Sequence, residues 1–75
     1  MEPGMDIGEA IQYMLKGKKV SRIGWNGPGQ FLMLQFPDEN SKMSLPYVYI
    51  TTVQGKRVPW LCSQTDLLAD DWYVA

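Results

Sequence analysis

Histidine is absent from this 75-residue sequence, and cysteine occurs once, at Cys62. Without an imidazole a nucleophilic triad lacks its usual base, and Cys62 has no partner for papain-like chemistry. No pattern points to a Ser-Lys dyad. A lone cysteine cannot close an intrachain disulfide, and without histidine it cannot complete a common zinc site. No metal, no cofactor and no catalytic residues are therefore expected. A single thiol fits a reducing compartment. Positive charge is not in excess either: seven Lys and Arg face eight Asp and Glu, a net charge of −1. Nucleic acid polymers are held by a basic field, so they are not expected partners. No apolar run approaches the roughly 18 residues of a membrane span, and the N-terminal residues lack a signal-peptide apolar region. A cytoplasmic protein without membrane contact is the expectation.

The length allows one domain, residues 1–75, and such a chain buries only about 60% of its unfolded surface. Domains of this size commonly depend on a staple or on oligomerisation. With no staple in the sequence, self-association is the expected supplement. What the sequence does have is rings: three Trp, four Tyr and two Phe. Most must serve a core or an interface, and a minority are free to meet a ligand.

Asp6 and Glu9 form a capping-box pattern, and Ile7, Ala10, Ile11, Met14 and Leu15 follow at helical spacing. Lys16 and Gly17 suit the helix end, so a helix is expected over residues 7–16. Residues 18–23 suit a first strand and residues 24–29 a turn rich in Gly and Pro. Residues 30–36 form a second, mostly apolar strand, and residues 37–46 a polar loop. Residues 47–52, Tyr-Val-Tyr-Ile-Thr-Thr, carry the strongest strand signal. A turn at 54–56 leads into residues 57–61, where Pro59 argues for an edge or a bulge. Ser63 reads as the cap of a short helix with Leu67, Leu68 and Ala69 on its apolar side, and Trp72-Tyr73-Val74 as a last strand. The fold class is α+β: a small antiparallel sheet with an N-terminal helix and a short C-terminal helix packed on it.

These residues favour binding over turnover. Trp25, in the Gly-rich turn, and Trp60 offer π faces to a ring. Arg22 and Arg57 are suited to paired hydrogen bonds with phosphate. Asn26, Ser63, Gln64, Thr65 and Asp66 supply groups for hydroxyls and base edges. A nucleotide answers to this set. Competing structural roles are equally concrete: Trp25 and Trp60 as core, the arginines as solvated strand ends, Ser63 and Asp66 as helix caps. The acidic pairs Asp38-Glu39 and Asp70-Asp71 read as surface charge. GWNGPG lacks the Lys-Ser/Thr ending of a phosphate loop and opens no helix.

Gly8-Glu9-Ala10, Arg22-x-x-Trp25-Asn26-Gly27, Val58-Pro59-Trp60 and Ser63-Gln64-Thr65-Asp66-Leu67-Leu68-Ala69-x-Asp71-Trp72 follow in order over almost the whole chain. This sequence resembles the small phage family of Thoeris anti-defence protein two. The resemblance implies a sponge that binds the cyclic ADP-ribose isomer made by a TIR-domain enzyme and holds it uncleaved. It also implies a homotetramer with ligand pockets between subunits, at work in the cytoplasm of an infected bacterium. Some similar members hold cyclic dinucleotides made by cGAS-like enzymes. Residues 35–46 are compact where members often have a longer segment, so the choice between these ligands stays open. A module that blocks a host defence protein directly is the alternative from another class. The ligand-binding set expected here is Arg22, Trp25, Asn26, Arg57, Trp60, Ser63, Gln64 and Asp66.

Overall fold

The computed structural model describes residues 4–25 and 29–75. Helix α1 (Ile7–Leu15) starts where the sequence marks it. The Asp6 carboxylate accepts the Glu9 N–H at 2.8 Å, and the Glu9 carboxylate accepts the Asp6 N–H at 3.3 Å. Two of the N–H groups that a helix start leaves unpaired are thereby satisfied. At the other end Gly17 takes φ +84°, a conformation that side chains disfavour, and turns the chain toward the sheet.

Strands β1 (Val20–Arg22), β2 (Phe31–Gln35), β3 (Tyr47–Thr51), β4 (Arg57–Pro59) and β5 (Trp72–Val74) form one antiparallel sheet in the order β4-β3-β2-β1-β5. A short helix, α2 (Gln64–Leu67), joins β4 to β5. The α+β expectation holds. The first strand is shorter than residues 18–23, because the Lys18 N–H still bonds to the Tyr13 carbonyl of the helix exit. The second helix stops before the Leu68-Ala69 pair that its apolar pattern includes.

Residues paired across strands share a face, and faces alternate along each strand. The pairs Val20↔Leu32, Leu32↔Ile50, Leu34↔Val48 and Arg22↔Trp72 therefore lie on one side. Helix α1 packs across β1, β2 and β5 on that side. Ala10, Met14, Val20, Leu32 and Trp72 are buried there, with Ile7, Trp25, Ile50, Trp60 and Ala69 packed around them. The opposite side carries Phe31, Met33, Tyr47, Tyr49, Pro59 and Tyr73, and neither helix covers it.

The sheet's two margins are blunted. In β4 the backbone of Val58 faces β3, flanked by bonds from Thr52 N to Lys56 O and from Trp60 N to Val48 O. Arg57 and Pro59 therefore face outward, and Pro59 has no N–H to offer. On β5, Met5 exchanges both backbone bonds with Trp72, at 2.7 and 3.1 Å.

Candidate functional site

Trp72 and Arg22 stand side by side on the helix-covered face, and the rest of the site forms around them. The Arg22 guanidinium reaches two carboxylates. Its Nε donates to Asp71 Oδ1 at 2.6 Å, its Nη2 to Asp71 Oδ2 at 3.3 Å, and its Nη1 to Asp66 Oδ1 at 2.7 Å. The side chain is only 14% exposed, so this pairing is shielded from water. The same Asp66 Oδ1 accepts the Trp25 indole N–H at 3.0 Å, and the Trp72 indole N–H donates to the Asp66 carbonyl at 3.2 Å.

Asp66 is placed by α2. The Ser63 hydroxyl caps this short helix by accepting the Asp66 N–H at 3.1 Å. Asp71 is placed by the approach to β5, where its Oδ2 also accepts the Gly24 N–H at 2.8 Å. Close approach explains two glycines here. A Cβ on Gly24 would stand 2.9 Å from Asp71 Oδ2, and one on Gly4 would stand 2.2 Å from the Asp71 Cα. Trp25 then folds onto Trp72, edge to face, with ring centroids 5.4 Å apart. Trp60 meets Trp72 from another direction in the same manner, at 6.0 Å.

The electrostatics follow from this geometry. The Asp71 carboxyl lies below the ordinary aspartate range, chiefly through its bonds from Arg22, with the Gly24 N–H assisting against partial burial. Burial pushes Asp66 upward, but the donors Trp25, Arg22 and Ser63 together outweigh it and its pKa is lowered. Arg22 is raised by hydrogen bonding to Asp71 first and Asp66 second. One cation between two anions leaves the cluster with a charge of −1. The pKa of the largely exposed Cys62 thiol is raised, by slight loss of hydration first and by the charge of Asp66 second, the opposite of an activated nucleophile.

The structure thus gathers Arg22, Trp25, Ser63 and Asp66 in one network, with Trp60 joined through Trp72. Gln64 is exposed at the start of α2. Asn26 lies outside the described residues. Arg57 is elsewhere: it sits on the uncovered face, its guanidinium 6.0 Å from the Tyr49 ring centroid. Arg22 is not a solvated strand end: three of its N–H groups are bonded to aspartates, and its charge is already paired. Asp71 is not surface charge, as its neighbour Asp70 is; its carboxylate ties Arg22 and the Gly24 N–H to the approach to β5. Asp71 stands in the closing motif, but no local signal gives it a role, since its partner Arg22 is 49 residues away.

Surface hollows lie along the uncovered side of the sheet. One of about 480 Å³ is lined by Met43, Leu45, Tyr47 and Pro59 among others, and one of about 290 Å³ by Gln35, Lys42, Met43 and Tyr47 among others. Among the described residues no group of three His, Cys, Asp or Glu is placed to hold a metal ion, and no helix is long and apolar enough to cross a membrane.

Comparison with known proteins supplies the wider context. The family model described as the Thoeris anti-defense 2-like domain matches residues 5–75. A protein of Bacillus phage SP01, described as Thoeris anti-defense 2, is 34% identical to this chain over 85 aligned positions, covering 96% of each.

Proposed function

This chain belongs to the Thoeris anti-defense 2-like family, and from that premise we propose that it is a phage anti-defence protein that sequesters a cyclic ADP-ribose isomer made by TIR-domain enzymes, without cleaving it. The observation that carries this reading is the tryptophan-rich cluster around Trp25, built without a histidine base and with its arginine already neutralised. Such a site can grip a ring and hydroxyl groups, and it has no group poised to attack a phosphate. With a charge of −1, it favours the donor-bearing parts of a nucleotide, the ribose hydroxyls and base N–H groups, over the phosphates. Gln64 and Asn26 stand next to this cluster in sequence and supply further donors and acceptors. Arg57, which has no ion pair among the described residues, remains the cation for phosphate, contributed from another copy.

Assembly belongs to the same proposal. The chain exposes 5478 Å², against roughly 4,700 Å² for a typical monomer of its 8.6 kDa mass. The uncovered face with Phe31, Met33, Tyr49 and Tyr73 is the surface assigned to contact between copies, within a homotetramer in the cytoplasm of the infected host.

The test is native mass spectrometry of the protein mixed with lysate from cells holding an activated TIR enzyme. The expected result is a tetramer carrying the mass of a cyclic ADP-ribose isomer, released intact on heating. In Trp25→Ala the affinity should fall by about 10- to 100-fold, the scale of one lost ring stack, while the assembly persists. Capture of a cyclic dinucleotide instead would reassign the ligand. Capture of a host protein and no small molecule would overturn the reading.

A further inference from the structure

Asp71 belongs to no expected binding set, yet its carboxylate accepts three hydrogen bonds from the segment that leads into Trp25. It takes both Arg22 Nε and Nη2 and the Gly24 N–H, and it is packed against so closely that Gly4 and Gly24 have no room for a Cβ. Gly24 immediately precedes Trp25, and Arg22 is the residue whose carbonyl accepts the Trp25 N–H at 3.3 Å. Both ends of the backbone that turns into Trp25 are therefore anchored to one carboxylate. Arg22 then carries the restraint onward to Asp66, and Asp66 holds the Trp25 indole.

We propose that Asp71 is a positioning residue: it latches the turn after β1 to the approach to β5 and so fixes the Trp25 ring in its binding orientation, without itself touching the ligand. The affinity arm of this inference rests on the sequestration reading above; the structural arm does not. A ring that must stack on a ligand loses affinity when it is free to rotate, because binding must then order it. Asp71→Asn keeps the shape but removes the charge that holds Arg22. Gly24→Ala keeps every charged group and displaces the carboxylate from the turn, since the new methyl meets Asp71 Oδ2 at 2.9 Å and Arg22 Nη2 at 3.2 Å.

The experiment follows the indole N–H signals of the three tryptophans by nitrogen-15 NMR at low temperature, and measures affinity for a cyclic ADP-ribose isomer on the same samples. In both variants the Trp25 indole proton is expected to exchange with water about tenfold faster, with the Trp60 signal unmoved, and Kd to rise about tenfold. Unchanged Trp25 exchange in both variants would overturn the latch. Faster Trp25 exchange with unchanged Kd would also overturn the proposal, by reducing Asp71 to a purely structural role. Should one variant fail to fold, the other decides alone. If the wild type binds no such isomer, the sequestration reading fails, and the indole exchange still decides whether Asp71 holds Trp25.

Discussion

At the scale of single residues, the shared charge of Arg22 dominates. Two carboxylates of lowered pKa bind fewer protons in the folded chain than in the unfolded one. Their contribution to stability is complete above the unfolded aspartate value, about 3.9, and disappears as pH falls through the folded values. Arg22 contributes in the other direction, with a loss only in strong alkali. Wild-type protein should therefore lose stability steeply below about pH 4, and Asp71→Asn should flatten that slope; urea titrations followed by tryptophan fluorescence across pH 3–7 check it. Equal slopes in the two proteins would show that Asp71 is not the acid-sensitive group. Arg22→Ala should cost about 2–3 kcal/mol, somewhat under the usual figure for breaking a buried pair, because Asp71 remains 26% exposed. None of this was legible in sequence. Arg22 and Asp66 were recognisable as functional candidates, but their mutual pairing depends on the strand order, which brings residues 22, 66 and 71 together. Asp71, next to an exposed Asp70, has the local sequence of an ordinary charged turn.

Elements read more clearly, because their causes are local. The capping box at Asp6 and Glu9, the i, i+3, i+4 spacing from Ile7 and the left-handed Gly17 all act within a few residues, and α1 appears where they place it. Strand β3 is equally legible from its β-branched and aromatic run. The ends of β1 and α2 were less so, since ladder bonds and packing against Trp72 set them rather than propensity. The cap yields a clean prediction. Asp6→Ala removes one half of a reciprocal pair and should cost about 1 kcal/mol, a fall in Tm of roughly 4–8 °C for a domain this small. Calorimetry measures it directly, and a shift under one degree would mean that the helix start is held by Met5 and Ile7 packing instead.

At the scale of the whole molecule, the two faces of the sheet differ. One is closed by α1 around Trp72; the other is open and lined with rings. Alternation within a strand puts Phe31 with Met33 and Tyr47 with Tyr49, but only the β2–β3 register puts both pairs on one face, and only packing says which side the helix takes. Met33→Lys sets a charge in the middle of the open face. If copies meet there, it should weaken assembly by about 100-fold or more, since an unpaired buried charge costs several kcal/mol. The far-ultraviolet circular dichroism should be unchanged. Light scattering reads the outcome, and undiminished assembly would move the contact to another surface.

The blunted margins of the sheet bear on dosage. On the sequestration proposal the protein would work mole for mole, so its usefulness would rise with the number of copies a cell can hold. Crowded copies with bare strand margins would zip together end over end and be lost as fibrous aggregate. The proline at position 59 withholds a donor on one side, and the Met5 backbone occupies part of the other. Growth of the sheet from chain to chain is discouraged at both margins, so copies that accumulate are kept from joining strand to strand.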